Sequence, residues 1–181
     1  PQEFYENLNL PPGIRQLTTN ELKQHLAKTF DNNLVNQKWP LAINQAATTQ
    51  ILALRVEGQE PAQIELVMPS TKNALTPTRV IILIEENAEL ELLQIALGSE
   101  NSAHSHYLEI NLDKHAKLNH GFVGLGEDKA ICLANLSIKQ KPFSNYTLTS
   151  IQHGWFLSRL EPEITQVEGK GFTTLRGLQI A

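Results

Sequence analysis

Little in this chain can cross-link it. Cys132 is the only cysteine among 181 residues, so no internal disulfide can form, and a single retained thiol suits a reducing compartment. Basic excess is absent too. The net charge of −4 argues against a nucleic-acid partner, whose phosphates demand a basic face. No apolar run approaches the ~20 residues that span a bilayer. The opening PQEFYENLNL has neither a basic n-region nor an apolar h-region, so no signal peptide and a cytoplasmic location are expected. An initiator Met is missing and the last residues, TTLRGLQIA, read as an unfinished strand. The expectation is a fragment, truncated at its C-terminal end and prone to self-association as a homodimer through the exposed end. Aspartate is scarce, with only Asp31, Asp113 and Asp128, which weakens a polysaccharide-cleaving reading that needs clustered acids.

What is present suffices for a core: 41% of residues are hydrophobic and 19% charged, the balance of one folded domain. The first fifty residues carry helix signals. Thr18-Thr-Asn-Glu21 is a capping-box pattern, in which the Thr18 hydroxyl accepts an amide proton and Glu21 reaches back. Leu22, Leu26 and Phe30 follow at helical spacing, predicting a helix that ends near residues 31–33. Pro40 suits the first turn of a second short helix through LAINQAA, with Trp39 expected to pack beneath it. From Ile51 onward, runs such as RVIILI, ELELLQIAL and YLEINL alternate apolar with polar residues, as strands with one buried face require.

These runs repeat. Ala88, Ala116, Ser144 and Gly171 recur 28, 28 and 27 residues apart, and a step of 26 back from Ala88 reaches Ala62. The preceding apolar pairs keep phase: Val80 and Ile82, Leu108 and Ile110, Leu136 and Ile138, with Leu54 and Val56 before them. Self-similarity at such a period marks a solenoid. With more than one short strand per period and no helix, the prediction is mainly β: a parallel β-helix of about 26–28 residues per coil over 51–181, with a small helical region at 1–50.

The region also resembles a known family. PTRVIILIEENAELELLQ (77–94), then HYLEINLDKHAKLNH (106–120), resembles the core of the SufB/SufD iron–sulfur cluster assembly proteins. WPLAINQAA (39–47) resembles the family's aromatic-x-x-Leu-Asn-x-Ala signature, with Ile43 in place of Leu. Gly154 to Arg159 and EGKGFTTLRGLQI (168–180) resemble its later glycine pattern. SufD is the closer branch, because the SufB-type stretches Gly-Gln-Phe-Glu-Arg-Thr and Glu-Gly-Cys-Thr-Ala-Pro have no counterpart here. The resemblance implies a right-handed parallel β-helix. It also implies a scaffold subunit that pairs with SufB, carries the ATPase SufC and binds no cofactor alone, the iron–sulfur cluster being assembled on the complex. The SufC-holding helices and the late Cys and His positions of the SufB–SufD contact would lie beyond residue 181, so no functional residue is carried over.

His104 and His106, with Gly98 before and Glu109 after, approach a cupin metal motif. Only two residues separate His106 from Glu109, however, and strand alternation sends Glu109 to the opposite face. These two, with His115 at a turn and His153, are read as surface or turn histidines, leaving no metal ligand, catalytic residue or cofactor site. Cys132, in AICLANL, reads as a packed thiol, and one cysteine cannot hold a cluster that wants about four thiolates. Glu85, Glu86, Glu89, Glu91, Glu161, Glu163 and Glu168 read as solvated strand faces. Gly124, Gly126, Gly169 and Gly171 read as solenoid turns and not phosphate loops. A non-enzymatic scaffold is therefore expected, with a β-helical carbohydrate-active enzyme or a cupin-type metal-binding protein as alternatives. The scaffold predicts no polysaccharide turnover, no retained zinc or iron, and binding to a SufB-like partner.

Overall fold

A computed structural model describes residues 8–33 and 39–180, the side chains of residues 28–33 excepted. A short strand, β1 (Ile14–Gln16), leads into helices α1 (Thr19–Asn33) and α2 (Trp39–Ala47). Strands then follow without further helix: β2 (Leu52–Val56), β3 (Ala62–Pro69), β4 (Leu75–Ile84), β5 (Glu89–Leu97) and β6 (Ala103–Leu112). The remainder are β7 (Lys117–Leu125), β8 (Ile131–Gln140), β9 (Asn145–His153), β10 (Leu157–Gln166) and β11 (Phe172–Ile180). Even-numbered strands stack in the order β2-β4-β6-β8-β10, with β1 antiparallel on β2, and odd-numbered strands form a second sheet, β3-β5-β7-β9-β11. All other pairings are parallel. This is the predicted parallel solenoid, about five turns long.

In-phase side chains explain it. Leu54, Ile82, Ile110 and Ile138 occupy one rung position of the first sheet, and Leu90, Leu118 and Tyr146 one of the second. All seven are buried in one core between the sheets. The register departs from expectation in the first coil, where Ala62 pairs with Leu90 and Leu54 with Ile82, a step of 28 and not 26. A slip of two keeps every side chain on its own face, so alternation could not expose the error; Glu60, not a small residue, takes the position of Ala88.

The capping box forms as predicted: the Glu21 amide donates to Thr18 Oγ1 at 3.3 Å and the Thr18 amide to Glu21 Oε2 at 2.9 Å. The helices lie on the outer face of the first sheet, where Leu17, Leu22, Ile51, Ala53 and Ile81 make a second core. Phe30 lies outside the described side chains. Trp39 does not pack underneath: it is 56% exposed, and Pro40 and Asn44 are the buried residues of α2. Among the described residues, none covers the second sheet in this way. Its outward rung Val67-Ile95-Val123-Ile151-Leu178 leaves Val67 and Leu178 each 55% exposed. Turns are closed by residues at positive φ, including Asn87, His115, Phe143 and Lys170 at successive coils.

Candidate functional site

Two of the histidines expected at the surface, His104 and His106, are inside, and so is His120. His104, His106 and His120 are each at most 2% exposed, a correction with a simple cause. On β6 the inward parity set by Leu108, Ile110 and Leu112 also includes His104 and His106, and the strand begins early enough, at Ala103, to hold both. Burial holds His106 and His120 neutral, each pushed down to about 3, and lowers His104 as well. His115 sits at its turn with φ 59° and His153 is exposed, as expected.

The interior histidines belong to a chain of hydrogen bonds. Gln94 Nε2 donates to Met68 Sδ at 3.8 Å, so its Oε1 receives the proton of His120 Nε2 at 2.8 Å. His120 Nδ1 then accepts from the Tyr146 hydroxyl at 3.1 Å. On the other side, Thr78 Oγ1 and His106 Nδ1 share a hydrogen bond, and Thr78 Oγ1 stands 3.9 Å from Met68 Sδ. His104 Nε2 donates to the Leu97 carbonyl at 2.9 Å. The two rings of β6 lie 4.8 Å apart between centroids, and Trp155 closes edge-on against His104 at 5.8 Å. Trp155 occupies room made by glycines: a Cβ at Gly98 would stand 2.3 Å from its Cζ3, and one at Gly124 3.0 Å from its Nε1. Gly124 is therefore an inward strand position and not a turn.

Cys132 faces the same interior, in register beside His104, and is fully buried. Its thiol is pushed up to about 12 by desolvation, so it packs and does not react. Glu109 points the other way, as alternation demanded, yet is 1% exposed because α1 covers it, and its Oε1 meets His25 Nε2 at 2.8 Å. The acidic positions are solvated or paired at the surface: Glu89 with Lys117 at 3.2 Å, Glu91 accepting from Gln63 at 2.7 Å. On the second sheet the missing side chain of Gly121 leaves an open depression of about 490 Å³, lined by Glu65, Glu91, Asn119 and Thr149 among others. It brings the Glu65 and Glu91 carboxylates together with the Thr147 and Thr149 hydroxyls, without Ser, Cys or Lys. Among the described residues no group of three His, Cys, Asp or Glu side chains could hold a metal ion.

The signature-like residues do structural work. Asn44 of WPLAINQAA is fully buried, and its Nδ2 donates to the Ser105 carbonyl at 2.7 Å and the Thr78 carbonyl at 3.0 Å, fastening α2 across β4 and β6. Arg79 of the Pro-x-Arg stretch lays its guanidinium over the Tyr107 ring at 5.4 Å. Against known proteins, the family model described as "SUF system FeS cluster assembly, SufBD core domain" matches residues 67–181. The chain belongs to the SufBD core family. No curated protein and no solved structure matches it. Family membership places the chain in the SUF iron–sulfur cluster assembly system, among assembly scaffolds rather than classical enzymes. The SufBD match begins inside β3 and takes in every later coil, so the helices and the first coil lie outside it. No described helix is long and apolar enough to cross a membrane.

Proposed function

We propose that this chain is a SufD-like scaffold subunit that pairs with a SufB-like chain and the SufC ATPase in the cytoplasm. It catalyses no reaction itself, and the cluster is assembled on the complex with ligands from other chains. The observation carrying this reading is the SufBD core match over the stacked coils, joined to a lone buried Cys132 that cannot ligate a cluster. The SufD branch rests on the absence of the SufB-type stretches. The helical region at 1–50 acts as a unit apart from the β-helix core at 51–181, fastened to it by Asn44 and the His25–Glu109 contact.

The test is genetic and biochemical together. The uninterrupted reading frame carrying this segment should rescue a strain lacking SufD, leave one lacking SufB unrescued, and co-purify with SufB and SufC. Rescue of the SufB-deficient strain would transfer the chain to the other branch. Failure to co-purify with either protein would remove the scaffold reading.

A further inference from the structure

The register that builds the core also orders the outer face of the second sheet. Val67, Ile95, Val123, Ile151 and Leu178 stand in one outward row, and Leu97 and Leu125 continue the apolar surface in the next. Val67, Leu97, Leu125 and Ile151 are all exposed. Five strands at about 4.8 Å spacing make this stripe about 19 Å long. Along its other side Gly121 leaves the open depression of about 490 Å³, lined by Leu93 and by Glu65, Glu91, Asn119 and Thr149, with no Lys or Arg. Neighbouring acids are matched in charge: Glu85 meets Arg55, Glu89 meets Lys117 and Glu100 meets Lys72. Among the described residues no Lys or Arg pairs with Glu65 or Glu91, and Glu91 accepts from the uncharged Gln63.

We propose that this face docks a basic amphipathic helix of a partner protein, with its apolar side chains on the stripe and one arginine in the Gly121 depression against Glu65 and Glu91. Three features select that occupant. First, a helix laid along the solenoid axis advances about 5.4 Å per turn, so each turn meets roughly one coil. An extended chain repeats at about 6.7 Å and falls out of register within two coils. Second, the stripe offers on the order of 250 Å², well short of the ~800 Å² per partner that a stable dimer buries, so a second copy does not suit it. Third, a guanidinium supplies the charge the depression lacks: its apolar stem lies on Leu93 and its fork meets carboxylate. Arg176 enters the row of Glu65 only at β11, which places the basic residues of the helix toward β3, β5 and β7. The inference does not rest on the SufD branch.

The probe is a synthetic amphipathic peptide of about 13 residues, the length that spans the stripe. It carries leucines at helical spacing, one central arginine and flanking lysines, and is titrated into the chain by fluorescence anisotropy and ¹⁵N NMR. Binding should move the amide signals of Gly121, Val123 and Ile151 and leave those of Ala53 and Ile81, beneath the helices, in place. Glu65→Gln with Glu91→Gln should weaken it about 10-fold, as should glutamine in place of the peptide's arginine. Gly121→Thr fills the depression and should do likewise. A Cβ there first meets the flexible end of Leu93, at 3.1 Å, so that variant retains the fold. Ile151→Thr should cost about 5-fold. No saturation at about 1 mM peptide, equal affinity for a peptide with glutamate in place of its basic residues, or undiminished binding by the double glutamine variant would overturn the inference. So would shifts confined to the helix-covered sheet. An oligosaccharide that moves the Gly121 signal where the peptide does not would assign the depression to a carbohydrate and end the helix proposal.

Discussion

Shortening Ile110 to alanine tests the stacking directly. Ile110 is fully buried and has an isoleucine in register on either side, Ile82 and Ile138. Losing its outer carbons removes their transfer free energy and leaves a cavity that two flanking coils cannot collapse into, a cost of about 3.5 kcal/mol. In a chain of this size that lowers the melting temperature by roughly 10 °C. Ile164 occupies the same rung position on β10, with Ile138 on one side only, and is partly exposed. Ile164→Ala should therefore cost about half as much. The assay is urea and thermal unfolding followed by far-ultraviolet circular dichroism. Coupling should follow adjacency as well: Ile110→Val with Ile138→Val should be non-additive, whereas Ile82→Val with Ile138→Val, two coils apart, should add within about 0.5 kcal/mol. Equal costs at Ile110 and Ile164, or equal coupling in both pairs, would refute a nearest-neighbour stack.

Acid should unfold the chain through its interior histidines. His106 and His120 are held near 3 when folded and return to about 6.5 when unfolded. The unfolded state therefore binds more protons throughout that window, and stability falls as pH drops below about 6.5. Each contributes a loss of roughly 2 kcal/mol between pH 7 and 5, and His120→Gln should remove about half of the combined slope in a pH series of denaturant midpoints. Phe143 sits at φ 64°, where a side chain is strained, so Phe143→Gly should be more stable than Phe143→Ala by about 1 kcal/mol; the reverse order would remove the strain argument. Cys132, its thiol raised to about 12 by burial, should resist alkylation in the native protein and label at the rate of unfolding. Fast native labelling by mass spectrometry would contradict its packing.

Much of the fold was legible because alternation and period report the same physical fact from two directions. Val80, Leu108 and Leu136 return to one face of one sheet as their spacing demanded, and the Thr18–Glu21 box closed as written. The candidate site is legible in parity but depends on the strand boundary: the rule that places Leu108 inside also places His104 and His106 there once β6 begins at Ala103. Other features had no local signal. The outward residues of β6, Ser105, Tyr107 and Glu109, are buried only because helices distant in sequence cover them. Trp155 likewise fills a space that Gly98, Gly124 and Gly126 leave on other coils, a partnership that no window of neighbouring residues contains.

Covering one sheet with α1 and α2 while leaving the other bare gives the column a back and a front. The back is already engaged by the chain's own amino-terminal segment. The front carries Val67, Ile151 and Leu178 into water and is the open flank among the described residues. Substitutions on that flank can alter who binds while sparing the architecture, whereas comparable changes on the shielded flank disturb both at once.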